Sequence, residues 1–122
     1  MYNIWLGKAV GQRRYILRYA YAPILNRRLC NSTYSYNGQI TSNMLCAGYM
    51  QGYTDACYDD SGGPLSCHSR SDSVLSRYSN RWHLAGVVSG GRGCGQRYYP
   101  SIYANMTAAP ICRWLSTILE NN

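Results

Sequence analysis

Ser61 is preceded by Asp59 and Asp60 and followed by Gly62, Gly63 and Pro64. This stretch, residues 55–64, restricts the folded chain more than any other. The two glycines free the backbone from Cβ clashes and the proline fixes one φ. Such a turn can hold Ser61 at a fixed, exposed angle with backbone N–H groups pointing outward. A nucleophile and its oxyanion hole need that arrangement. Asp, Ser, Gly and Pro are also ordinary surface-turn residues, so the decapeptide alone does not choose between the two readings.

The 122 residues fit one domain with a modest core. Phe is absent, while thirteen Tyr and three Trp supply the aromatic mass. Each buried tyrosine hydroxyl will therefore want a partner. Frequent Gly and dispersed Val, Ile, Leu and Tyr suit a β-rich fold with many turns. Six cysteines in so short a chain favour disulfides over reduced thiols. There is no Cys-x-x-Cys or His-x-x-x-His spacing, and neither a metal nor a cofactor is expected. The sequons at Asn31 and Asn105 would accept glycans in a secretory protein. No signal peptide or transmembrane run occurs within these residues. The cysteines favour a piece whose targeting segment lies elsewhere, placed in a secreted or extracellular setting.

The formal charge is +7, and eleven of the twelve cations are Arg. They are scattered, from Arg13 to Arg113, without a dense run or helical stripe. A solvated basic surface explains this better than a nucleic-acid site, and no nucleic-acid partner is expected. Polyanion binding stays open.

Along the chain, residues 1–7 read as a short strand and residues 8–14 as a polar loop. A strand is expected over Tyr15–Ala22, with Pro23 at its end. Asn26 is placed to cap a helical turn through Arg27 and Arg28 to Cys30. Further strands are expected at Met44–Tyr49, Pro64–His68, Trp82–Ser89 and Ser101–Asn105. Polar loops fill residues 31–43 and 69–81. Pro110 suits the first position of a terminal helix. Ile111, Trp114, Leu115 and Ile118 then share one face, which is expected to pack on the body of the domain. About six short strands and one helix imply a small antiparallel barrel.

Taken in order, Ala22-Pro23-Ile24, Arg28-Leu29-Cys30, Met44 to Tyr49, Asp55-Ala56-Cys57, Asp60 to Leu65, Ala85 to Ser89, Gly93-Cys94-Gly95, Pro100 to Tyr103 and the Trp114-Leu115 helix resemble the C-terminal half of a trypsin-like serine protease. The likeness is closest to the membrane-anchored subgroup and runs from about Leu17 to Leu119. The resemblance implies an all-β fold, a six-stranded antiparallel Greek-key barrel with a C-terminal α-helix, the N-terminal barrel being absent. It implies Ser61 as nucleophile, with backbone N–H groups of Asp59 and Ser61 as oxyanion donors. Asp60 matches the acid that pairs with a freed N-terminal amine. Asp55 matches the base of the primary pocket, selecting Arg or Lys before the scissile bond of a polypeptide substrate. Ser89, Gly91, Gly93 and Ser101 match that pocket's walls. Cys57 with Cys94, and Cys30 with Cys46, match two disulfides.

The sequence also departs from that pattern. The family's His base and Asp orienter belong to the other half of its domain, and His68 and His83 lie outside the base's usual context. Asp59 replaces a Gly, Gly90 replaces a Trp that shapes the cleft, and Ser101 replaces a Gly lining the pocket. Cys67 matches a cysteine whose partner would fall near Met1, and Cys112 has no family partner. Two functions follow: a trypsin-like endopeptidase segment, inactive as the isolated chain, or a non-catalytic pseudo-protease or binding module.

Overall fold

The computed structural model describes the backbone of residues 2–4 and, with side chains, residues 19–68 and 81–121. The polar loop expected at 8–14, most of the loop at 69–81 and the first half of the strand expected at 15–22 lie outside the described residues.

Among the described residues six strands form one antiparallel sheet: β1 (Tyr2–Ile4), β2 (Ile24–Leu25), β3 (Met44–Ala47), β4 (Pro64–His68), β5 (Trp82–Gly90) and β6 (Ser101–Asn105). Their order is β1-β4-β5-β6-β3-β2. Strands β4 and β6 have the bounds expected from the sequence, and β5 runs one residue further. Around Pro23 the expectation needs correction. Residues 19–22 form no ladder, and a short strand, β2, follows the proline. Tyr19 and Tyr21 are exposed while Ala20 and Ala22 turn inward, so the alternation is real without strand pairing. Among the described residues the sheet is open, with β1 and β2 as its short edges, rather than the closed barrel expected.

The core has two parts. Leu65, Val88 and Tyr103, from β4, β5 and β6, pack with Ala22, Ala47 and Ala56. Gly86 permits this closeness, because a Cβ there would stand 2.9 Å from Cβ of Tyr103. The second part gathers Cys30, Tyr36, Ile40 and Cys46. Helix α1 (Arg27–Cys30) leads into it, and the Asn26 side chain accepts from Arg28 N–H at 2.9 Å, as its capping position predicts. The Cys30–Cys46 disulfide then ties α1 to β3.

Asn31 holds the loop after α1 closed. Its Oδ1 accepts from Ile40 N–H at 2.8 Å and its Nδ2 donates to Ile40 O at 2.9 Å. The amide of this sequon thus acts as a clamp across nine residues of chain. Replacing Asn31 by Ala strands two backbone groups of Ile40, each worth about 1 kcal/mol. A loss of about 2 kcal/mol in urea unfolding is expected. Asn105 is similarly engaged, donating to Ser42 O at 3.1 Å and accepting from Thr107 N–H at 3.0 Å.

Helix α2 (Ala109–Glu120) begins where Pro110 predicts, with the proline in its first turn. Its apolar stripe does not pack as expected. No residue of α2 is buried, and Trp114 is 63% and Ile118 44% exposed. The helix is tied near its start, where Cys112 donates its S–H to Met106 O and Met106 N–H reaches Ala85 O. Ile111 and Leu115 of the same stripe are half-buried. Cys112 is exposed on this helix and Cys67 is buried in β4.

Candidate active site

The serine turn is fixed by β5. Gly62 N–H donates to Val88 O and Val88 N–H to Gly63 O, both at 2.9 Å. Gly62 has φ +87°, and a Cβ on Gly63 would meet Asp60 O at 2.9 Å. The turn therefore requires both glycines. Ser61 sits exposed at its apex.

The loop before the serine is braced internally. Asp60 Oδ2 accepts from Cys57 N–H at 2.8 Å, and Asp60 N–H donates to Cys57 O at 3.1 Å. Asp59, enclosed between Cys57 and Asp60, has φ +72°. Glycine takes that left-handed conformation freely, whereas Asp adopts it at a cost. The backbone shape that glycine would give here is kept, and a carboxylate has been added beside it.

Ser61 overlooks a cleft of about 100 Å³. Its walls come from two loops, the serine loop with Tyr58 and Cys57 and the glycine-rich loop with Gly90, Gly91, Gly93 and Cys94. The Cys57–Cys94 disulfide joins the two, with Cα atoms 5.1 Å apart. Ser101, at the start of β6, lines the cleft and is itself buried.

Asp55 lies behind Ser101 instead of on the cleft wall. The Ser101 hydroxyl donates to Asp55 Oδ1. Ala56 N–H donates to the same oxygen and Gly95 N–H to Oδ2, both at 2.9 Å. All three donors favour the carboxylate, but burial outweighs them and raises its pKa above the ordinary 3.8. The folded chain thus keeps a proton at pH values where the unfolded chain has released it. Asp55 makes stability fall as pH rises through that window. Replacing Ser101 by Ala removes the foremost of the effects that lower the pKa while keeping the site filled. The Asp55 titration, followed by carboxyl-carbon NMR, is expected to move to higher pH. Beneath this cluster, burial and then the charges of Asp55 and Asp60 push the Tyr103 phenol far up, so it stays neutral.

Of the residues expected in the pocket, Gly91, Gly93 and Ser101 line the cleft and Asp55 stands one layer deeper. Ser89 is different. The register between β5 and β6 shifts from Val88 to Gly90, leaving Ser89 as an extra, exposed residue. Such a bulge re-aims the strand where it meets the site. Tyr58 and Val88, which also line the cleft, had not been singled out. Tyr58 follows Cys57 directly, and the disulfide to Cys94 was the signal for its place. The pairings Cys30–Cys46 and Cys57–Cys94 are both present.

Neither histidine stands near the turn. His68 ends β4, which runs about 13 Å from Pro64 at ~3.3 Å per residue. Its ring packs against Trp82, with centroids 4.9 Å apart. His83 pairs with Cys67 at the same remote end of the sheet.

A family model described as Trypsin matches residues 5–115, and the chain belongs to that family. Human transmembrane protease serine 11B is 44% identical over 93 residues, which make up 76% of this chain and 20% of that protein. Mouse transmembrane protease serine 7 is 44% identical over 93 residues, or 76% of this chain and 10% of that protein. Bovine coagulation factor XI is 43% identical over 90 residues, or 74% of this chain and 13% of that protein. The chain thus spans a fifth or less of the length of these relatives. Among the described residues no helix is long and apolar enough to cross a membrane.

Proposed function

We propose that these residues form the serine-bearing, C-terminal barrel of a trypsin-like endopeptidase domain. The observation that carries this reading is the Ser61 turn, tied to β5 and set over a cleft whose two walls share a disulfide. In the complete domain the open sheet closes into a six-stranded Greek-key barrel. Ser61 Oγ attacks the scissile carbonyl, and the backbone N–H groups of Asp59 and Ser61 receive the oxyanion. Asp60 turns from Cys57 N–H to a freed N-terminal amine on activation. A Lys or Arg side chain enters between Gly91 and Ser101 and is drawn by Asp55. The Ser101 hydroxyl relays that charge, donating to Asp55 and accepting from the incoming cation. The domain acts on the extracellular side of a membrane or in secretion, with Asn31 and Asn105 as its glycan sites.

A serine without a base stays protonated and is a poor nucleophile. His68 and His83 sit too far down the sheet to serve, so the base and its orienter come from outside these 122 residues. The isolated chain is therefore expected not to turn over Arg- or Lys-p-nitroanilides. Assembled with the histidine-bearing half of a trypsin-family domain, it should hydrolyse them in a Ser61-dependent way. Assembly without hydrolysis, in both the natural sequence and Asp59→Gly, would speak against the catalytic reading. It would favour the second one, a protease-like binding module. The observation behind that alternative is that an Asp, in the left-handed conformation glycine favours, occupies the proposed oxyanion-donor position.

A further inference from the structure

Two arginines of the glycine-rich loop have no part in the chemistry above. Arg92 stands between Gly91 and Gly93 on the cleft rim. Its guanidinium lies 4.7 Å from the centre of the Tyr99 ring, and its Nη1 donates to the Tyr99 hydroxyl at 3.2 Å. Arg97 lies 4.9 Å from the centre of the Tyr98 ring. Each tyrosine is braced edge-on in turn, Tyr99 by Tyr36 at 5.4 Å and Tyr98 by Tyr34 at 5.3 Å. Tyr36 is buried, and its hydroxyl donates to Pro100 O at 2.7 Å while accepting from Arg92 N–H at 3.2 Å.

The backbone is held in an uncommon shape to present this pair. Tyr98 has φ +68°, a left-handed conformation that a bulky residue adopts only when its surroundings enforce it. Tyr98 N–H donates to Met50 O at 2.8 Å, and Ser35 Oγ donates to Tyr98 O at 2.5 Å. Adjacent tyrosines thereby serve two different arginines. No carboxylate pairs with Arg92 or Arg97 among the described residues. Both side chains are exposed, each guanidinium is held against its ring, and the N–H donors that remain suit a planar acceptor.

We propose that Arg92 and Arg97 form a subsite for an acidic side chain on a polypeptide lying along Gly91 and Gly93. This rests on reading the cleft as one that holds polypeptide. A carboxylate fits a braced guanidinium fork through two parallel hydrogen bonds. The other described arginines, Arg27 and Arg28 of α1, Arg81 beside β5 and Arg113 of α2, sit on separate elements. No further arginine stands in residues 90–99 to lengthen the pair into the basic track that a sulfated glycan would follow.

The test uses the full chain and two fluorescein-labelled peptides, alike except for Glu-Glu or Gln-Gln before a single Arg. Fluorescence anisotropy at low salt should give the Glu peptide a roughly tenfold advantage. Arg92→Gln and Arg97→Gln should each cut that advantage to below about threefold, Arg92→Lys should keep part of it, and Arg113→Gln should leave it intact. Circular dichroism checks that the variants fold. Equal affinity for the two peptides overturns the proposal, as does an advantage that Arg92→Gln leaves unchanged. If both peptides bind equally and Asp55→Asn weakens both, the subsite falls while the cleft reading stands. If neither binds, both fall together. Arg92-dependent capture of a heparin oligosaccharide without preference for the Glu peptide assigns the loop to sulfated glycans and also overturns it.

Discussion

Replacing Asp59 by glycine is expected to speed acylation of Ser61 by about a hundredfold once a general base is supplied. The Asp59 N–H is one of the two proposed oxyanion donors, and its side chain sits at the same residue. Two unit negative charges ~5 Å apart at an effective dielectric of ~20 repel by roughly 3 kcal/mol. That converts to a rate factor on the order of a hundred. Salt should shrink the gain, because Asp59 is exposed and screening acts on such pairs. A second effect is separable. At φ +72° glycine is unstrained, so Asp59→Gly should also stabilise the chain by about 1 kcal/mol. Asp59→Asn removes the charge and keeps the side chain, so it should deliver most of the rate gain with little of the stability gain. Acylation rates with a fluorophosphonate, measured for the three sequences in the assembled domain, read the charge effect directly. Thermal unfolding reads the other. Equal acylation rates in all three would show that the Asp59 carboxylate does not face the reacting oxygen.

Removing the Cys57–Cys94 disulfide, as the paired change to Ala, should cost about 4 kcal/mol of stability. The two cysteines are 37 residues apart in sequence. Closing a loop of that length in the unfolded chain accounts for a figure of this size. Against a usual total of about 5–15 kcal/mol, the loss is a large fraction. The bridge also joins the serine loop to the glycine-rich loop, so its removal should disorganise the cleft before the rest of the sheet. The Cys30–Cys46 pair, 16 residues apart, should cost about 3 kcal/mol by the same reasoning and leave the cleft shaped while the chain stays folded. Urea unfolding of both paired variants gives the ranking. A Cys57–Cys94 variant within about 1 kcal/mol of the parent, with its cleft unchanged, would deny the bridge this role.

What could be read from residues alone tracks how local the physics is. The Asn26 cap, the Pro110 helix start and the strands β4 and β6 depend on neighbours in sequence, and they appear where expected. Over residues 19–22 the expected strand is not formed, because alternation reports which way side chains point, while a strand also needs a ladder partner. Residues 19–22 have the first without the second. The α2 stripe was legible as a stripe, but what it packs on is a tertiary question, and Trp114 and Ile118 stay exposed while Ile111 and Leu115 are half-buried. At the site, the resemblance pointed to Ser61, Asp55 and the glycine walls, and Ser61, Gly91 and Gly93 line one cleft with Asp55 behind Ser101. That Ser101 would stand between Asp55 and the cleft, and that Ser89 would be turned out by a bulge, depends on the β5–β6 register across distant residues. The Arg92 and Arg97 braces likewise come from Tyr36 and Tyr34, more than fifty positions earlier.

The central claim is that Ser61 is a protease nucleophile position whose base lies outside these residues. Its most direct test is mass spectrometry of the 122-residue chain after treatment with a fluorophosphonate, alone and after assembly with the histidine-bearing half of a trypsin-family domain. The expected result is no adduct on the chain alone and a single adduct on Ser61 after assembly. Labelling of Ser61 in the isolated chain, or an adduct on another residue after assembly, would contradict it.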